Sequence, residues 1–271
     1  MSLGKNYRIA RILKGLQRYF IIPIDHGLTQ GPIGRLTEVK SFIRTLPLKT
    51  ISAIVAHKGL ASAIHPLLIQ KDISLILHLS GSTKLSPDPS SKQILSSVEH
   101  AIKLGADAVS VHVNLGAKDE QSMLKDFSLI SEECDKWGMP LLAMVYPRGD
   151  KIKNEYNPDV IAHSTRLAWE LGADIVKVNY TGDVESFKQV VSAVDIPVVV
   201  AGGPKVDSDS SILSMVKDSI WSGGRGVAFG RNIFQHNEPH LISQKIAKIL
   251  NFSSLIDTQE EVEHEAVLVR H

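Results

Sequence analysis

The chain has 271 residues, 43% of them hydrophobic, enough for one large α/β domain with a substantial core or for two small ones. Thirty basic and 29 acidic side chains leave a net charge of +1, which excludes a global basic field for nucleic acid or an anionic membrane; any affinity for phosphate must be local. The single cysteine, Cys134, excludes an internal disulfide framework and a cysteine cluster for a structural metal, and points to a reducing compartment.

The N-terminal basic segment, residues 1–18, carries Lys5, Arg8, Arg11, Lys14 and Arg18. It lacks the continuous apolar core of a signal peptide, and no apolar run in the chain is long enough to span a bilayer. The expectation is a soluble, cytoplasmic protein. Gly4 to Gln17 reads as a short helix with Ile9, Ile12 and Leu13 on one side. Tyr19 to Asp25 reads as a first strand, followed by a loop of turn formers from His26 to Pro32 and a helical pattern from Leu36 to Thr45. Strands two and three are expected at Ile51–His57 and Ile73–Leu79, then a polar loop from Ser80 to Pro89. A helix is expected from about Ser90 to Leu104, with Ile94, Leu95, Val98 and Ile102 at helical spacing.

From there the chain repeats itself. Lys103-Leu104-Gly105-Ala106-Asp107-Ala108-Val109-Ser110-Val111 resembles Glu170-Leu171-Gly172-Ala173-Asp174-Ile175-Val176-Lys177-Val178, with a looser copy at Trp221 to Phe229. Each copy reads as a helix end, a glycine suited to the left-handed conformation, and a buried strand. Met139–Tyr146 and Ile196–Ala201 are further strands, each with a proline near its start. Helical stretches fall near Ser122–Trp137, Pro158–Leu171, Val184–Val194, Ser210–Trp221 and Leu241–Leu250. Eight near-continuous apolar strands alternating with helices predict a (β/α)8 TIM barrel, one domain over residues 1–271, with a tail at 252–271 that is acidic and then apolar. A doubly wound open sheet is the alternative, weakened because no Gly-x-Gly-x-x-Gly follows the first strand.

The carboxyl ends of the strands, where barrels place their active sites, carry Asp25 and His26, His57 and Lys58, His78, His112 and Asn114, Tyr146 and Arg148, Lys177 and Asn179, Gly202-Gly203-Pro204-Lys205, and Gly230-Arg231-Asn232. Lys177 lies inside the apolar run Ala173 to Asn179. Burial disfavours an ammonium, and a neutral amine attacks carbonyls, so Lys177 is a candidate Schiff-base nucleophile; the competing reading is a strand-end lysine that reaches solvent or pairs with a carboxylate. Tyr146 on the neighbouring strand and Asp25 on the first are candidate proton-transfer groups. The glycines after strands seven and eight, Gly202, Gly203 and Gly230, let backbone N–H groups approach an anion, and Arg231 and Lys205 add charge. His57, His78 and His112 leave open a zinc-dependent aldolase. A non-catalytic sugar-phosphate-binding regulator is a third reading.

Pro23-Ile24-Asp25-His26-Gly27, His78 to Thr83, Tyr146-Pro147-Arg148-Gly149, Asp174 to Lys177, Ala201 to Pro204 and Gly230 to Gln235 together resemble the archaeal-type class I aldolases, in register from about Lys5 to Leu250. The resemblance implies a (β/α)8 barrel and a Schiff-base lysine at Lys177, with Tyr146 and Asp25 as acid/base groups. It further implies phosphate binding by the glycine loops and Arg231, with His26 and Arg148 at the substrate, no metal or organic cofactor, and a homo-oligomer (a decamer or pentamer). Two branches of the family are in view. One cleaves fructose 1,6-bisphosphate. The other, similar to 2-amino-3,7-dideoxy-D-threo-hept-6-ulosonate synthase, joins a ketose-phosphate-derived fragment to L-aspartate 4-semialdehyde, for aromatic amino-acid or aminohydroxybenzoate-type biosynthesis. The aldolase branch usually has tryptophan two residues before the tyrosine; here that residue is Met144. The segments Val111–Gly116 and Trp137–Gly149 look like the synthase branch, with dihydroxyacetone phosphate or a deoxyketohexose phosphate as donor.

Overall fold

Parallel pairing converts the eight apolar runs into a closed cylinder. The computed structural model describes residues 1–251 except 48 and 207; the 252–271 tail lies outside the described residues. The barrel strands are β1 (Tyr19–Pro23), β2 (Ala53–Ala56), β3 (Ser74–His78), β4 (Ala108–Leu115), β5 (Leu141–Pro147), β6 (Ile175–Asn179), β7 (Val198–Ala201) and β8 (Gly226–Ala228). Each pairs with its sequence neighbours, and β1 pairs with β8 through Tyr19↔Gly226, so no edge is left open. This is the expected (β/α)8 TIM barrel, and closure removes the open-sheet alternative.

Strand alternation sorts the side chains into two cores. One face of each strand points into the barrel, where Ile21, Ala53, Val55, Ile76, Ala108, Leu142, Met144, Tyr146, Ile175, Val199, Ala201 and Ala228 form one buried cluster. The other face packs under the outer helices in a larger cluster that includes Ile22, Ile54, Leu77, Val109, Val176 and Val178. Along β6, Val176 and Val178 point outward, so Lys177 must point inward with Ile175 and Asn179.

The repeated segments take one conformation. Helices Val98–Lys103, Pro158–Glu170 and Asp209–Trp221 end, and β4, β6 and β8 begin, with the same spacing in each case. Gly105, Gly172 and Gly223 hold positive φ at these turns, as their placement predicts.

Helix α1 (Leu3–Leu13) lies across the amino-terminal end of the barrel. Its Lys5 is only 3% exposed and pairs with Asp135 and, at 3.0 Å, with Asp174, whose carboxylate also accepts the Leu141 N–H. A buried ammonium is tolerated only with such partners.

Several local expectations are corrected. Residues 90–97 are not helical: Gln93–Ile94 pairs antiparallel with Ser80–Gly81, and the helix is confined to Val98–Lys103. Ser97 caps that helix by accepting the His100 N–H, so the apolar spacing of Ile94 and Leu95 belongs to a hairpin rather than a helical face. The segment after β1 contains a short helix, His26–Gln30, and a second short helix, Arg231–Phe234, follows β8. A helix over Lys58–Lys71 joins β2 to β3 where the sequence showed no pattern, and a helix at 239–251 closes the described chain. Among the described residues no helix is long and apolar enough to cross a membrane.

Candidate active site

The carboxyl ends of the strands surround a cavity of about 180 Å³. Asp25, His26, Tyr146, Arg148, Lys177, Gly202, Gly203, Gly230 and Arg231 all line it. Lys205 does not: its side chain is exposed beyond the glycine turn, away from the cavity wall.

Lys177 sits on the inner wall, 7% exposed. Its Nζ lies 4.0 Å from Met144 Sδ, the residue registered beside it on β5. Among the described residues no carboxylate comes within ion-pairing distance of it, so the reading of Lys177 as a strand-end lysine in a salt bridge is not what the fold provides. Tyr146 is two residues beyond Met144, hence on the same inner face. Its ring meets His112 edge-on at 5.0 Å, and the Arg148 guanidinium stacks over it at 4.5 Å. Arg148 in turn donates from Nε to Glu155 at 3.1 Å.

Asp25 faces this wall from the end of β1. His78 Nε2 lies 3.7 Å from Asp25 Oδ2, and His26 Nδ1 lies 3.4 Å from Asp25 Oδ1. Burial works against the Asp25 carboxylate, but its surroundings, His78, His26 and Lys177, outweigh that and hold it well below the usual carboxylate range. Burial pushes His78 down to about 4. The pair is therefore an ionised Asp25 beside a neutral His78 at neutral pH.

A depressed histidine carries a stability consequence. Below pH 6.5 the unfolded chain takes up a proton at His78 that the folded chain refuses. Stability is therefore complete above that pH and is lost as pH falls toward 4. The expected loss from His78 is about 3 kcal/mol. Urea denaturation of wild type and His78→Gln at a series of pH values measures it: the wild-type curve should fall more steeply between pH 6.5 and 4. Parallel curves would refute the assignment.

The three histidines do not assemble into a ligand set. The His57 and His78 rings stand 5.0 Å apart, but His112 turns to Asn114, with Nε2 2.8 Å from its Oδ1. Among the described residues no group of three or more His, Cys, Asp or Glu side chains is arranged to hold a metal ion.

The glycine loops form a backbone cradle. Gly203 takes φ +64°, and a Cβ on Gly202 would stand 2.9 Å from the Phe229 ring. Asn232, 2% exposed, joins the two loops: its amide donates to Gly202 O at 2.6 Å and its Oδ1 accepts the Val206 N–H at 2.9 Å. A Cβ on Gly230 would collide with His26 and with the Pro23 carbonyl, so glycine there allows β8 to pass close to β1. Among the described residues Asp25 Oδ1, His26 Nδ1 and Arg231 Nε are buried without hydrogen-bond partners, and all three belong to residues that line the cavity.

Sequence reasoning missed Lys92. It reaches the cavity from the hairpin segment after β3, a stretch read as helix. Met144, Thr29 and Gln30 also line the wall.

Solved structures give the class of this molecule. An archaeal fructose-1,6-bisphosphate aldolase, captured with its catalytic lysine bound to a carbinolamine intermediate, superposes with a TM-score of 0.83 at 28% identity, over 91% of this chain and 99% of that one. The fold is that of a Schiff-base aldolase, and the protein is an enzyme of that class. Residues 19–236 match the family model described as DeoC/LacD family aldolase, and the chain belongs to that family. It is 43% identical to 2-amino-3,7-dideoxy-D-threo-hept-6-ulosonate synthase 1 of Archaeoglobus fulgidus over 98% of both chains. It is 42% identical to 2-amino-4,5-dihydroxy-6-oxo-7-(phosphonooxy)heptanoate synthase of Streptomyces griseus over 87% of this chain and 86% of that one.

Proposed function

We propose that this enzyme joins a three-carbon fragment of a ketose phosphate to L-aspartate 4-semialdehyde, giving a seven-carbon amino keto acid. The observation that carries the chemistry is the Lys177 amine, buried on the inner wall with a thioether as neighbour and, among the described residues, no carboxylate within ion-pairing distance. Its Nζ adds to the ketone carbon of the donor. Tyr146 and Asp25 move the protons of the carbinolamine, water leaves, and an iminium forms. Loss of an adjacent proton gives the enamine, whose carbon attacks the aldehyde; hydrolysis releases the product and restores the amine. With a six-carbon donor, carbon–carbon cleavage of the iminium expels the other half as an aldehyde and leaves the enamine of the retained three carbons; that enamine carries phosphate when fructose 1,6-bisphosphate is the donor and none when a deoxyketohexose phosphate gives the 7-deoxy product. The cradle of Gly202, Gly203 and Gly230, together with Arg231 and His26, holds the donor phosphate.

The names of the two relatives support this acceptor, since both describe 2-amino seven-carbon products. They differ over the donor. One name keeps a phosphonooxy group on carbon 7, as dihydroxyacetone phosphate would leave it; the other describes a 3,7-dideoxy product, as a deoxyketohexose phosphate would give. Cleavage of fructose 1,6-bisphosphate is the second reading, supported by the structural likeness to an aldolase of that substrate. On either reading the enzyme works as one barrel domain in the cytoplasm, without metal or organic cofactor, and self-associates into pentameric or decameric rings. The synthase would feed aromatic amino-acid or aminohydroxybenzoate-type biosynthesis.

Mass spectrometry of the products decides. Dihydroxyacetone phosphate and fructose 1,6-bisphosphate are each incubated with and without L-aspartate 4-semialdehyde. A seven-carbon product containing the amino-acid carbons is expected. Triose phosphates alone, with no incorporation, would select the second reading.

A further inference from the structure

The cations lining the cavity outnumber its acids. Lys92, Arg148, Lys177 and Arg231 face one lining carboxylate, Asp25. One phosphate monoester brings about 1.5 to 2 negative charges. With Lys177 assigned to the carbonyl and the phosphate placed at the β7–β8 cradle with Arg231, Lys92 and Arg148 remain on the far side.

Barrel order puts them there. Lys92 enters from the hairpin after β3, and Arg148 follows β5. Lys92 is 8% exposed, and two of its three ammonium protons are used, by Ser82 Oγ at 2.6 Å and by Pro89 O at 2.8 Å. Among the described residues no carboxylate stands within ion-pairing distance of it. Arg148 uses only Nε, for Glu155, which leaves its two terminal nitrogens without a hydrogen bond among the described residues. Between them stands His112, kept neutral by burial and by Lys92 and Arg148; the Ser90 carbonyl accepts the Asn114 amide, so Asn114 Oδ1 receives the His112 Nε2–H. A buried ammonium without a counter-charge is costly, and a guanidinium edge fits a planar carboxylate with two parallel hydrogen bonds.

We propose that Lys92 and Arg148 form a second anion subsite on the β3–β5 side of the mouth, which takes the carboxylate of the acceptor aldehyde. This inference rests on the reading of Lys177 as the centre of aldol chemistry. It makes Lys92 a specificity residue: it grips the end of the acceptor remote from the reacting carbon, and an anionic four-carbon aldehyde is favoured over an uncharged one of equal length. Glu155, held by Arg148 and near Asn179, stands where an α-ammonium on the same acceptor would meet a carboxylate.

The test compares four acceptors with one donor, dihydroxyacetone phosphate: L-aspartate 4-semialdehyde, succinate semialdehyde, butanal and glyceraldehyde 3-phosphate. In Lys92→Met, kcat/KM for the two semialdehydes should fall about 30-fold relative to butanal, the size of one lost charge-assisted hydrogen bond. Retention of the butanal reaction shows that the variant is folded. An equal fall for all four aldehydes would make Lys92 a staple of its loop and overturn the proposal. So would an unchanged ratio, or a loss confined to glyceraldehyde 3-phosphate, which would assign the subsite to phosphate. Borohydride trapping on the wild-type enzyme is run first. If no adduct forms on Lys177 with dihydroxyacetone phosphate, fructose 1,6-bisphosphate or a deoxyketohexose phosphate, the aldol reading fails and this one with it; if one forms, that ketose is the donor and the acceptor ratios judge the subsite alone.

Discussion

Lys177→Met should lose on the order of 10⁴-fold or more of the carbon–carbon bond-forming activity, because the other lining amine, Lys92, is held by Ser82 and Pro89 on the β3 side and does not replace the nucleophile. The substitution keeps the length and apolar stem of the side chain and removes only the nucleophile. Among the described residues no carboxylate stands within ion-pairing distance of Lys177, so no contact salt bridge is broken, and Asp25 keeps His78 and His26 beside it when the Lys177 charge is removed. The folding free energy should therefore stay within about 1 kcal/mol of wild type. Activity and thermal melting, measured on the same samples, separate chemistry from folding. Borohydride reduction with dihydroxyacetone phosphate should add the mass of the reduced donor to wild type and nothing to the variant. Activity retained in Lys177→Met, or an adduct on another residue, would remove Lys177 from the mechanism.

Tyr146→Phe has the second largest effect, a loss of about 10²- to 10⁴-fold in kcat, the range for a lost acid/base group. The ring is held by His112 on its edge and Arg148 on its face, and phenylalanine keeps both contacts. Only the phenolic proton is lost. The donor should still reach saturation near the wild-type concentration, since the turns after β7 and β8 proposed to hold its phosphate are untouched, while formation of the trapped adduct slows. A variant whose KM rises while kcat holds would make Tyr146 a binding surface instead. The pair of substitutions thus distinguishes the group that forms the bond from the group that moves the proton.

The barrel was legible because a parallel strand buried on both faces needs branched apolar residues throughout, and each repeated turn needs a glycine at positive φ; Gly105, Gly172 and Gly223 mark three of them. The site was largely legible for a related reason. Polar residues at the carboxyl ends of such strands have nowhere to go but the mouth, so Asp25, Tyr146, Lys177 and Arg231 could be placed from their position in the chain. Lys92 was hidden because Ile94, Leu95, Val98 and Ile102 mimic a helical face, although Ile94 belongs to a hairpin and the helix starts only at Val98, after its cap Ser97. The capping serine was the available signal, since a cap side chain outranks spacing when both are present. Lys205 failed in the opposite direction: the glycine turn that brings Gly202 and Gly203 to the cavity carries the chain back out before residue 205. The neutral state of His112 rests first on burial and then on Lys92 and Arg148, which come from different loops, and no local pattern encodes it.

Helix α1 also sets an order of events during synthesis. Its anchors are all far downstream: Arg8 donates to the Ala106 carbonyl, Arg11 to Asp107, and Lys5 reaches Asp135 and Asp174. Docking of this helix is therefore complete only when the chain has been made as far as Asp174. The seam between Tyr19 and Gly226 waits longer still. Chains emerge at about 5–20 residues per second, so the amino-terminal segment spends on the order of ten seconds or more without its partners. In that interval Lys5, Arg8, Arg11, Lys14 and Arg18 are without the acids and carbonyls they meet in the finished barrel.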